Sequence, residues 1–103
     1  MSLPNYLALA QRYGIDVVFC DLGVYSNCEL RSEFDPTEPS IRVNARLTEA
    51  LSQDDAQRFI QHAIAHELYH YFEHRGVVHR AKARAQREQN AERFARRLSE
   101  LLR

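Results

Sequence analysis

The stretch His66-Glu67-Leu68-Tyr69-His70, inside the run from Phe59 to Arg75, constrains this chain more than any other. It matches the pattern H-E-x-x-H. Residues four apart on a helix share a face, so the two imidazoles can close on one metal ion while Glu67, about 100° further round, reaches a water on that metal. The layout suits a hydrolytic zinc centre, but only on a helix. The neighbouring residues supply that condition: Ile60, Ile64, Leu68, Tyr71 and Phe72 form an apolar stripe beside the histidine stripe. Ser52 is a good N-cap with Asp54 and Asp55 behind it, and Gly76 is a stop, so the spacing predicts a helix from about Gln53 to Arg75. The competing reading is an accidental pair on an ordinary helix, since all five histidines (62, 66, 70, 74, 79) crowd into one region.

The rest of the chain reads as a frame for that helix. Leu3 to Tyr13 carries apolar residues at helical spacing, with Pro4 and Asn5 placed for a start and Gly14 for an end. Ile15 to Cys20 is rich in β-branched and aromatic residues and predicts a strand, followed by a turn at Asp21-Leu22-Gly23. Val24 to Phe34 alternates weakly and predicts a second strand with one wet face. Two prolines in Asp35-Pro36-Thr37-Glu38-Pro39-Ser40 make a loop. Ile41 to Leu47 alternates cleanly, a third strand with Ile41, Val43, Ala45 and Leu47 on one face. Ala81 to Leu102 predicts a last long helix of strong helix formers. The expectation is α+β: an N-terminal helix, a three-stranded sheet, the H-E-x-x-H helix and a long C-terminal helix, all in a single domain of 103 residues.

No apolar run approaches the ~20 residues of a membrane span. The start Met1-Ser2-Leu3-Pro4-Asn5 lacks the basic region of a secretory signal, so a soluble cytoplasmic protein is expected. Cys20 and Cys28 are too few for a disulfide framework; buried thiols are expected in preference to a bridge between neighbouring strands. Net charge is zero but uneven: residues 75–103 carry nine basic and three acidic side chains. A basic helix can meet nucleic acid, yet Glu and Arg at helical spacing describe a solvated face better, so a nucleic-acid partner is not the expectation.

A catalytic zinc takes three protein ligands and keeps a fourth position for water. A metzincin-type site would need a glycine at position 73 and a histidine at position 76; the chain has Glu73 and Gly76. The last helix offers another source. Its apolar stripe is Ala91, Phe94, Ala95, Leu98, Leu101 and Leu102, and one turn earlier that stripe lands on Glu88. A carboxylate in a helix-helix seam is costly unless a cation pairs with it. Glu92, slightly off the seam, is the second candidate, and His79, in the connection, the third.

The segment Arg58 to His74, with Ala65-His66-Glu67-Leu68 and His70 at its centre, resembles the motif core of the ImmA/IrrE-like zinc metallopeptidases, a gluzincin-type family. Glu88-Gln89-Asn90-Ala91-Glu92-Arg93-Phe94-Ala95 resembles that family's later E-x-x-A-x-x-F-A element, and Ile41-Arg42-Val43-Asn44 its strand before the motif helix. The resemblance implies a small zincin-like domain with His66, His70 and Glu88 as zinc ligands and Glu67 as the catalytic base. It also implies hydrolysis of peptide bonds in a substrate such as a regulatory protein. Two departures stand out: Tyr69 occupies a position that is often glycine, and the chain ends at Leu101-Leu102-Arg103, where family members usually continue.

In such a centre Glu67 takes the water's proton and passes it to the leaving amine, while the metal and one nearby donor stabilise charge on the carbonyl oxygen. Tyr69, His74, His79 and Arg80 are the candidate donors. His62 continues the histidine stripe as a partly exposed residue one turn from the metal. The alternative is a latent or non-catalytic metal-binding module, for regulation or interaction, in which zinc only joins two helices. Glu67→Gln discriminates, because it abolishes proteolysis and changes nothing in such a module.

Overall fold

The computed structural model describes residues 5–22, 24–25, 28–29 and 31–101. Helix α1 (Tyr6–Arg12) starts where the Asn5 side chain accepts a hydrogen bond from the Ala8 N–H at 3.1 Å. It ends at Gly14, whose φ of +72° lies in the left-handed region. There the Ile15 N–H donates to the Ala10 carbonyl (3.1 Å) and the Gly14 N–H to the Gln11 carbonyl (3.0 Å), the paired bonds of a Schellman cap. The turn seats Ile15 in the core with Ala10 and Tyr6 and sends the chain into β1 (Asp16–Cys20). Residues 1–4, where helical spacing predicts the start of this helix, and Gly23 of the expected turn lie outside the described residues.

The single strand expected over Val24–Phe34 is three short pieces. β2 (Val24–Tyr25) and β3 (Cys28–Glu29) pair antiparallel with each other, and β4 (Ser32–Asp35) joins the main sheet. In the sequence Ser26-Asn27, a turn-forming pair, interrupts the weak alternation. β5 (Ser40–Asn44) is the middle strand of the order β1-β5-β4. β1 runs parallel to it, with Val17 beside Ile41 and Phe19 beside Val43. β4 runs antiparallel, with Phe34 opposite Ile41 and Glu33 opposite Arg42. The tight connection between β4 and β5 is held by Asp35, which accepts from the Thr37 N–H at 2.9 Å. Arg42 then spans Glu33 (2.7 Å) and Asp35 (3.2 Å) across the two strands.

β5 also stops three residues earlier than alternation predicts. The Asn44 side chain accepts from the Arg46 N–H at 3.2 Å and turns Ala45–Thr48 into a 3-10 helix, so Ala45 and Leu47 do not extend the strand's apolar face. Ile41 and Val43 are fully buried in the core with Ala63, Ile64, Ala65 and Leu68 of α2 (Gln53–His74).

Helix α2 follows the predicted boundaries closely. The Ser52 hydroxyl accepts from the Asp55 N–H at 3.2 Å, with Asp54 and Asp55 in the first turn. Its far end repeats the α1 cap: Gly76 has φ +74°, with Val77 N–H bonded to the Phe72 carbonyl (2.9 Å) and Gly76 N–H to the Glu73 carbonyl (3.1 Å). After a connection, α3 (Arg84–Leu101) returns along α2, beginning three residues later than expected. Ala91 and Ala95, four apart and fully buried, allow the two helices to approach closely. Phe94 packs on Tyr69 and Phe72. Cys20 is a free, half-buried thiol, more exposed than expected; the Cys28 side chain falls outside the described residues. Among the described residues no helix is long and apolar enough to cross a membrane.

Candidate metal centre

The centre lies where α2 and α3 cross. His62, His66 and His70 stand at four-residue intervals on α2, and Glu88 and Glu92 do the same on α3. Glu92 meets His62 and His66, whereas Glu88 meets His66 and His70, so the helices run antiparallel at the crossing.

Glu88 faces the Nε2 atoms of both motif histidines, at 2.8 Å from His66 and 3.3 Å from His70. One ligand atom from each of His66, His70 and Glu88 lies within 4.8 Å of the other two. Ligand atoms about 2.1 Å from a tetrahedral zinc stand about 3.4 Å apart, so the set is close to closing on one ion.

The far side of each ring is also engaged. Glu73 lies 2.7 Å from His70 Nδ1 and Glu92 lies 2.9 Å from His66 Nδ1. If each Nδ1–H donates to its carboxylate, both Nε2 lone pairs point inward. His70 Nε2 is buried and has no hydrogen-bond partner, an arrangement that a metal ligand explains and a satisfied core histidine does not.

Glu67 points to the same place from the sheet side. It is buried, and the Ser32 hydroxyl of β4 donates to its Oε2 at 2.6 Å. Burial lifts the Glu67 carboxyl above its ordinary value, against the Ser32 hydrogen bond and the neighbouring imidazoles. Burial pulls the His66 imidazole down, but the surrounding acids Glu67, Glu88 and Glu92 outweigh it and leave its pKa raised. Glu92 moves the opposite way: burial raises it, and hydrogen bonds and charge from His62 and His66 bring it below the usual value.

The centre opens on a cleft of about 740 Å³. His74 and Arg80 line it, as does Ser32; Tyr69 and His79 do not. Tyr69 instead packs between His70 and Phe94, and His79 is exposed in the connection, apart from the cluster of His66, His70 and Glu88. His74 sits edge-on to Phe34 of β4. Spacing in the sequence assigns no site role to Glu73 or Ser32. Glu73 was legible only as a residue one turn beyond His70, and Ser32 reaches Glu67 across 35 positions of chain.

An α+β frame that brings an H-E-x-x-H helix and a glutamate of the next helix together, beside a cleft, defines the class: a metallopeptidase-like domain. The sequence comparison agrees. The peptidase family described as the IrrE N-terminal-like domain matches residues 10–99, and the chain belongs to that family. No curated protein and no solved structure matches the chain.

Proposed function

We propose that the protein is a zinc-dependent peptidase acting on a protein substrate, such as a regulatory protein. The observation that carries this reading is the convergence of His66 Nε2, His70 Nε2 and the Glu88 carboxylate beside the buried Glu67. His66, His70 and Glu88 hold the metal, and Glu73 and Glu92 fix the two rings from behind. A zinc ion there supplies a Lewis acid that activates water at neutral pH and polarises the scissile carbonyl.

The remaining steps belong to the chain's own residues. Glu67 takes the proton of the attacking water and delivers it to the leaving nitrogen as the C–N bond breaks. Ser32 holds the Glu67 carboxylate in the orientation for that transfer. His74, which borders the cleft, is the donor that meets charge on the carbonyl oxygen.

The test is metal analysis and hydrolysis in parallel. Zinc is expected at one per chain in wild type and lost in His70→Ala and Glu88→Ala. Glu67→Gln is expected to keep zinc and lose hydrolysis. Zinc retention in Glu88→Ala refutes the ligand set, and undiminished hydrolysis by Glu67→Gln refutes the base.

A further inference from the structure

The charges lining the cleft are unequally committed. Its acids all have partners: Glu33 pairs with Arg42, Glu67 with Ser32, and Glu73, Glu88 and Glu92 with the histidines. Its arginines are not paired with acids. Arg87 donates to the Ala81 and Lys82 carbonyls at 3.0 and 2.8 Å and so pins the chain leading into α3. That brace sets the position of Arg80 and Arg84, which line the cleft with exposed side chains, as does Arg31 immediately before β4. Among the described residues no carboxylate pairs with any of these three. An extended peptide lying over Glu67 therefore passes between positive charges that nothing in the described chain neutralises.

We propose that the cleft selects substrates with Asp or Glu close to the scissile bond, read by Arg80 and Arg84 on one side and Arg31 on the other. The inference rests on the peptidase reading for the location of the bond. Its physical basis is separate: arginines without acidic partners attract an acidic segment and repel a basic one.

The experiment uses the zinc-loaded full chain and a randomised peptide library, with cut sites read by mass spectrometry. Asp and Glu are expected within a few residues of the cut at roughly fivefold enrichment, as two partly solvated ion pairs would give. The enrichment is expected to fall at high salt. Arg80→Glu with Arg84→Glu is expected to abolish it and to favour Lys or Arg in its place, and the milder Arg80→Gln with Arg84→Gln to abolish it without that reversal. In parallel, an Asp-rich peptide and its Asn-rich counterpart are titrated onto zinc-loaded Glu67→Gln, where binding is read without cleavage. Cleavage with no acidic preference, or a preference that survives both double variants, overturns the inference and leaves the peptidase reading standing. Absent cleavage with arginine-dependent binding of the Asp-rich peptide sinks the peptidase reading alone. Tighter binding of an oligonucleotide of equal charge overturns the peptide assignment.

Discussion

Glu73→Gln is the most informative change outside the proposed ligand set. The Glu73 side chain is 3% exposed, one oxygen lies 2.7 Å from His70 Nδ1 and the other is buried without a partner. Glutamine keeps the shape and can still accept from Nδ1–H through its carbonyl, but it removes the negative charge that makes His70 a better donor to a cation. A hydrogen bond to a charged group contributes roughly 1.5–3 kcal/mol and a neutral one about 0.5–1.5. The difference, about 1–1.5 kcal/mol, corresponds to about tenfold in zinc affinity. Glu73→Ala strands Nδ1 as well and should cost closer to a hundredfold, the upper end for such supporting residues. The assay is competition for zinc against a chromophoric chelator at fixed pH, with circular dichroism of the metal-free protein as the control for folding. Glu92→Gln is the internal comparison: that side chain is 38% exposed, so water screens its charge and the loss should be smaller than at Glu73. Zinc affinity equal to wild type in Glu73→Gln, with the fold intact, refutes the reasoning.

Three further changes follow from single contacts. Ser32→Ala removes the hydrogen bond to Glu67, and kcat/KM for peptide hydrolysis is expected to fall roughly tenfold or more at unchanged zinc content; a fall in zinc instead would make Ser32 a structural residue. Gly76→Ala is expected to cost about 1–2 kcal/mol in denaturant unfolding. An added Cβ meets nothing within 4 Å there, so the cost is the left-handed backbone alone, and Gly76→Asn should recover part of it. Thr37→Val tests the β4–β5 turn through pH. Hydrogen bonds from Thr37 hold the Asp35 carboxyl below its ordinary 3.8, so that contribution to stability is present above 3.8 and disappears as pH falls through the lower folded value. The stability gap between wild type and Thr37→Val should therefore be constant near neutral pH and close in strong acid; a gap that persists there refutes the assignment.

What could be read from the sequence is what helical geometry fixes at short range. Ser52, Gly76 and the apolar stripe bounded α2, and four-residue spacing put His66 and His70 on one face. Glu88 was legible for the same reason: its position is set by the period of Ala91 and Ala95, which are buried in the seam. The strands were less legible. Weak alternation over Val24–Phe34 does not say where pairing switches partners, and alternation through Leu47 could not show that Asn44 would hydrogen-bond its own backbone. Glu73 and Ser32 escaped because their roles depend on a ring rotamer and on a strand meeting a helix, neither of which spacing encodes.

Four glutamates surround two imidazoles, and their environments separate their tasks. Glu73 lines the cleft with its side chain only 3% exposed and one oxygen held against the back of His70, so it is suited to holding a ring. Glu67 lines the cleft too and carries one hydroxyl donor, which leaves an oxygen able to exchange a proton. Glu92 spans His62 and the back of His66, facing away from the pair of Nε2 atoms. Glu88 alone confronts both Nε2 atoms, and at 49% exposure it retains freedom to adjust its approach. A ligand must move by a fraction of an ångström to coordinate, whereas a supporting group must not move. The more exposed of these acids stands where the proposed coordination needs adjustment, and the enclosed Glu73 where it needs rigidity. Glu88→Gln should thus lose zinc in metal analysis, although the intact Glu92 keeps a carboxylate 2.9 Å from His66 Nδ1.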